Sequence, residues 1–201
     1  NILKGVEALG FTSPTPVQEK SIPLLINEDR DLIGLAQTGT GKTAAFGLPM
    51  IQKIDVSKNI VQGLVIAPTR ELCVQISNDF KDFSKFVKGL SIATIYGGAS
   101  MDKQSREIRS GAQIVVATPG RLMDMMKRKM IKINSVSYVV LDEADEMLNM
   151  GFKEDIDGIL SHTPDEKSTW LFSATMPRDV EKIAKSYMTN PLEITVGSKN
   201  V

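Results

Sequence analysis

The chain is predicted to fold as one α/β domain over residues 1–201, a mostly parallel sheet of about seven strands with helices on both faces. Three observations point there. Short apolar runs recur at 32–36, 64–67, 91–96, 114–117, 138–141, 170–172 and 192–196. Helical patterns separate one run from the next, the alternation that builds parallel sheets covered on both sides. And 201 residues, 42% of them hydrophobic, can bury one good-sized core but hardly two. No repeat or low-complexity segment interrupts the pattern, and breaks such as Ser57-Lys58-Asn59 and Thr163-Pro164-Asp165 read as surface loops.

Ahead of the first strand, Gly10-Phe11-Thr12-Ser13-Pro14-Thr15-Pro16-Val17-Gln18 reads as a proline-rich turn, with Pro14 and Pro16 restricting the backbone before a helix through Ile22. The run 32–36 is a short buried strand, and the stretch from Thr43 through Leu48 suits the helix after it. Between them lie Ala36, Gln37, Thr38, Gly39, Thr40, Gly41, Lys42 and Thr43. Gly39 and Gly41 permit backbone angles closed to other residues, so successive N–H groups can turn toward one anion at a helix N-terminus. Lys42 then reaches terminal phosphates as a point charge, and the Thr43 hydroxyl is placed to ligate magnesium. Ala36 stands where the usual pattern begins with glycine, which predicts a slightly different loop entry. The plainer alternative is a glycine-rich turn with an incidental lysine.

Further along, Thr69 follows a strand and opens a helix, with Arg70 adding charge; Gly97 and Gly98 allow close backbone approach; Thr118, Gly120 and Arg121 repeat the strand-to-helix arrangement. Each alone reads as a helix cap or turn. The run 137–141 is apolar and β-branched, as a central parallel strand requires, and Asp142 falls at its C-terminal end, the side on which open α/β sheets bind ligands. Asp142 is therefore expected to hold magnesium through water, Glu143 to act as general base or positioner of an attacking water, and Asp145 to make a bridging hydrogen bond. Taken alone, Asp142-Glu143-Ala144-Asp145 would also make an acidic helix N-terminus. Together with the upstream loop it argues for a nucleoside triphosphatase.

At this point the chain resembles the DEAD-box RNA helicases. The residues Asp142-Glu143-Ala144-Asp145, the upstream loop 36–43 and Ser173-Ala174-Thr175 agree with that family, and Pro68-Thr69-Arg70-Glu71-Leu72, Gly97-Gly98 and Thr118-Pro119-Gly120-Arg121 follow in its order. The similarity covers nearly all the chain. It implies a RecA-like P-loop NTPase domain, the N-terminal one of two, with ATP and Mg2+ as cofactors. It implies a nucleotide set of Phe11, Gln18 and 36–43, with Thr43 and Asp142 on the metal and Lys42, Asp142 and Glu143 in catalysis. RNA, bound mainly through its backbone, is expected at Pro68, Thr69, Arg70, Gly97, Gly98, Thr118, Pro119, Gly120 and Arg121. Asp145, Ser173 and Thr175 are expected to couple nucleotide state to RNA, the two hydroxyls hydrogen-bonding Asp145. Residues 10–18 resemble the family's Q motif, which implies adenine recognition, and a Gln amide does present donor and acceptor side by side as the N6 and N7 edge requires.

By the same resemblance a second RecA-like domain completes the active protein, so this chain is expected to be a nearly inactive, monomeric fragment, its last strand leading into a linker over 197–200. Its first residue is Asn1, which fits a cut start. A non-catalytic, nucleotide-dependent RNA clamp is the alternative, and intact Lys42, Asp142 and Glu143 speak against it. Formal net charge is zero, so no broad basic field advertises nucleic acid and binding must come from local geometry. The single cysteine, Cys73, offers no disulfide and suits a reducing cytosol. Neither a signal peptide nor a bilayer-spanning run is read in the sequence, so a cytoplasmic protein is expected. His162 and the helically spaced Met123, Met126 and Met130 are assigned no chemistry.

Overall fold

The computed structural model describes residues 1–197. The expected linker lies, beyond Gly197, outside the described residues. Seven strands form one sheet: β1 (Leu32–Ala36), β2 (Gly63–Ile66), β3 (Ile92–Ile95), β4 (Ile114–Ala117), β5 (Tyr138–Leu141), β6 (Ser168–Ser173) and β7 (Leu192–Val196). Their order across the sheet is β3-β4-β2-β5-β6-β1-β7, and all six pairings are parallel. The strands start and stop within two residues of the apolar runs that announce them, and the sheet is wholly rather than mostly parallel.

Nine helices among the described residues make the connections: α1 (Ile2–Ala8), α2 (Pro16–Asn27), α3 (Lys42–Lys53), α4 (Arg70–Phe83), α5 (Met101–Arg109), α6 (Pro119–Lys127), α7 (Ala144–Asn149), α8 (Lys153–Leu160) and α9 (Arg178–Tyr187). Successive strand residues point to opposite faces, so one run of apolar residues feeds two cores. Leu64, Ile66, Val139, Leu141 and Leu171 face α5 to α9, while Val65, Val140, Trp170 and Phe172 face α2, α3 and α4. That double burial explains why β2, β4 and β6 are buried at every position, whereas the edge strand β7 alternates between half-buried and exposed residues.

Close packing shows most sharply where β1 meets β6. A Cβ added at Gly34 would lie 2.7 Å from the Phe172 ring, itself packed 5.4 Å from the Phe46 ring. Buried Asp31, just before β1, accepts the Thr169 N–H at 2.7 Å and the Thr189 N–H at 2.6 Å. It thereby ties the first strand to β6 and to the approach of β7. Cys73 lies buried within α4, where burial pushes its thiol up to about 12.

Candidate active site and strand-end surface

All seven strands point the same way, so the loops that follow β1, β2, β3, β4, β5 and β6 converge on one edge of the sheet. The loop after β1 has the backbone its glycines predict. Gly39 and Gly41 sit at φ 81° and 85°, in the left-handed region, and the Thr40 hydroxyl donates to the Gln37 carbonyl at 2.7 Å. At Gly39 a Cβ would meet nothing within 4 Å, so the angle alone calls for glycine; at Gly41 it would also come within 2.5 Å of Gln18 Nε2. Gly41 is the residue before α3, whose first residues are Lys42 and Thr43. The Thr43 hydroxyl is half-buried and makes no hydrogen bond among the described residues.

Gln18 lies in the first turn of α2 rather than before the helix, because the helix starts at Pro16, a residue whose fixed φ suits a first helical position. Its Oε1 accepts the Thr15 N–H at 3.0 Å and its Nε2 donates to the Gly41 carbonyl at 3.1 Å. The amide thus braces the phosphate-loop backbone and still keeps one N–H and one lone pair. This bracing role of Gln18, and the part played by Thr15, were missed from sequence, although Thr15-Pro16-Val17-Gln18 carries the S/T-x-x-E/Q spacing of a capping box. Phe11 is half-exposed, its ring 6.4 Å from that of Phe83 at the end of α4.

Asp142 follows β5 and is almost wholly buried. Lys42 Nζ stands 3.3 Å from its Oδ1, and both side chains are sealed from water at 7% and 3% exposure. The same Oδ1 accepts the Glu143 N–H at 3.0 Å. Burial raises the Asp142 pKa, with Lys42 and the Glu143 N–H pulling against it. Glu143 is held at φ 52° and ψ 51°, an unusual conformation for a side-chain-bearing residue and one that costs about 1–3 kcal/mol unless its surroundings impose it. Although it precedes α7, its side chain caps no N–H there. Its carboxyl is raised too, first by burial and then by the neighbouring Asp142 charge. A raised pKa is what a proton acceptor working near neutrality needs.

Asp145 makes the expected bridge, with one amendment. Its Oδ2 accepts from the Thr175 N–H at 3.0 Å and the Thr175 hydroxyl at 2.8 Å, whereas Ser173 Oγ accepts the Asp145 backbone N–H at 3.2 Å. Burial pushes the Asp145 carboxyl up, but these hydrogen bonds outweigh it and hold the pKa below the ordinary value. The oxygens of Asp142 and Thr43 could take a divalent cation, being hard donors of the kind magnesium accepts. Among the described residues no three His, Cys, Asp or Glu side chains cluster to hold a metal unaided.

The strand ends beyond β5 form a linked surface. Thr69 caps α4, its Oγ1 accepting the Leu72 N–H at 3.2 Å. The exposed Arg70 guanidinium lies 4.7 Å over the Tyr96 ring. Gly98 sits at φ 80°, in the left-handed region, but Gly97 needs no such angle, so only one of the two expected glycines is there for its freedom. Arg121 Nη1 donates to the Ala99 carbonyl at 3.0 Å and to Gln104 Oε1 at 3.1 Å, and Gln104 Nε2 donates to the Tyr96 carbonyl at 3.1 Å. Arg121 therefore also anchors the turn at 96–99. Gln104 and Tyr96 complete this surface and had no motif to mark them. Thr118 makes no side-chain cap, Pro119 is buried at the start of α6, and Gly120 is exposed; Pro68 is buried.

A parallel sheet with a glycine-rich loop leading into a helix and an acidic turn on the same edge defines a nucleoside-triphosphate-binding domain of the RecA-like type. Residues 15–183 match the family model described as DEAD/DEAH box helicase, and the chain belongs to that family. It is 48% identical over 201 residues to the DEAD-box ATP-dependent RNA helicase CshA of Streptococcus pneumoniae, covering all of this chain and 38% of that protein. To the ATP-dependent RNA helicase DeaD of Buchnera aphidicola it is 49% identical over 197 residues, 98% of this chain and 33% of the relative. The chain thus spans about two fifths or less of the curated relatives it matches. Among solved structures, a DEAD box protein from Methanococcus jannaschii superposes with a TM-score of 0.94 at 41% identity, covering 98% of this chain and 53% of that one.

Proposed function

We propose that the chain is the ATP-binding N-terminal RecA-like domain of a cytoplasmic ATP-dependent RNA helicase, which couples ATP binding and hydrolysis to unwinding of RNA or remodelling of its protein complexes. The observation that carries this reading is the buried contact between Lys42 and Asp142, which joins the phosphate loop to the acidic turn. Backbone N–H groups of 39–43 cradle the phosphates, with Lys42 within reach of both these and Asp142. Asp142 and Thr43 would hold magnesium, which when bound neutralises phosphate charge. Glu143 positions the attacking water and accepts its proton, and Gln18 reads the adenine edge while bracing Gly41. Asp145, clasped by Thr175, links this chemistry to the strand end at 173–175. RNA phosphates meet Thr69, Arg70, Gly98, Thr118, Gly120 and Arg121, contacts that carry no sequence information. A second RecA-like domain closes over both ligands.

In protein carrying both domains, Glu143→Gln should keep ATP affinity yet lower turnover by about 10² or more, the usual share of a positioned base, and prolong RNA retention in ATP. Lys42→Ala should weaken ATP binding itself. Turnover at the unsubstituted rate in Glu143→Gln would remove Glu143 from the chemistry.

A further inference from the structure

A further concavity lies at the other edge of the sheet. A cavity of about 560 Å³ opens where β2, β4 and β5 begin, between the loops that lead into them. Its floor is aliphatic, built from Val61, Ile108, Ala112 and Ile131, all buried. At its mouth stands Ile60, 47% exposed. The rim is cationic: Arg109, Lys129 and Lys132 are exposed, and none forms an ion pair among the described residues. No aspartate or glutamate lines the cavity. In a chain with zero formal charge, three uncompensated cations around one apolar hollow are a local feature and not the spill-over of a basic protein. Lys129 is also one of three non-glycine residues at positive φ among those described, at 57°, held in the turn after α6 where its N–H donates to the Met126 carbonyl at 3.0 Å.

We propose that this cavity docks an acidic protein segment carrying aliphatic anchor side chains between its carboxylates. Charge complementarity selects the partner's sign, and the floor selects its side chains. The hollow falls within the roughly 300–1,000 Å³ range of ligand-binding clefts, room for a few aliphatic side chains. Nucleic acid fits poorly, because no aromatic or stacking surface lines the cavity and the aliphatic floor would stay uncovered. Since the phosphate loop, the acidic turn and the Thr69 to Arg121 surface all lie at the C-terminal ends of the strands, a segment seated here leaves them free. The partner is tethered without competing for nucleotide.

The test is fluorescence anisotropy with the 201-residue chain and a labelled peptide of glutamates interspersed with leucines, beside two controls, one with lysines for the glutamates and one with serines for the leucines. The acidic leucine peptide should bind at least about tenfold tighter than either control. Lys129→Glu with Lys132→Glu should lose that binding and gain the lysine peptide, while Ile60→Asp should weaken the acidic peptide without admitting the lysine one. Unchanged melting temperature and unchanged nucleotide binding in the variants show that the fold persists. Equal binding of acidic and lysine peptides, retention by the double variant, or displacement of the peptide by an unstructured RNA oligonucleotide of equal affinity would overturn the proposal.

Discussion

At Gln18 one side chain serves two purposes, since its amide braces the Thr15 N–H and the Gly41 carbonyl and still keeps a donor and an acceptor for a base edge. ATP or ADP should therefore bind this chain better than GTP or GDP by the worth of a bidentate pair, about 1–3 kcal/mol, and Gln18→Ala should erase most of that preference. Calorimetric titration with both bases checks it, and because Gln18 also supports the loop, Gln18→Ala should lower affinity for either nucleotide. Asp145 offers a second test at this scale. Its carboxyl is held low by Thr175 against the effect of burial, so Thr175→Ala should move the Asp145 titration upward when followed by NMR. Because the folded pKa lies below the unfolded one, this link stabilises the fold at pH values above the unfolded pKa. The contribution is lost as pH falls through the folded pKa.

Between elements, the decisive contacts are steric as much as electrostatic. Gly34 has no unusual backbone angle, yet a Cβ there would meet the Phe172 ring, which is wedged against Phe46. Gly34→Ala should destabilise the chain by about 1–3 kcal/mol through overpacking between β1 and β6, read as a lower denaturation midpoint with an unchanged m-value. The phosphate loop is subject to the same logic at Gly41, where the angle and the contact with Gln18 both reject a side chain. The strands were legible because continuous apolar runs mark burial on both faces, and the loop glycines because their role is local. The start of α2 was placed too late, since the proline-rich stretch reads as a turn until Thr15 and Gln18 are seen as a capping pair. Asp31, Gln104 and Tyr96 escaped notice for a different reason. Their partners, Thr169 and Thr189, Arg121 and Arg70, are distant in sequence, and no local pattern announces them.

For the molecule as a whole, the glycine-rich loop, the acidic turn and the Thr69 to Arg121 surface share one sheet edge, and the chain spans 38% of a curated relative such as CshA. An arginine supplied across a domain interface typically contributes about 10³–10⁵ in rate to such hydrolysis. On the two-domain reading, the chain alone should hydrolyse ATP negligibly, with no stimulation by RNA; RNA-stimulated turnover in a steady-state assay on the purified chain would contradict it. Among the described residues, no helix is long and apolar enough to cross a membrane. What the sequence alone determined was the class of fold, the strands, the phosphate loop and the order of the motifs, because burial on both faces, glycine backbone freedom and strand-end chemistry are written within a few residues of each other. Tertiary structure decided what those motifs do to one another. β1 and β5 are not neighbours, and only the insertion of β6 between them sets Lys42 at 3.3 Å from Asp142 and Asp145 beside Thr175. Such distances depend on strand order and on packing over some hundred residues of intervening chain, which no local run of amino acids encodes.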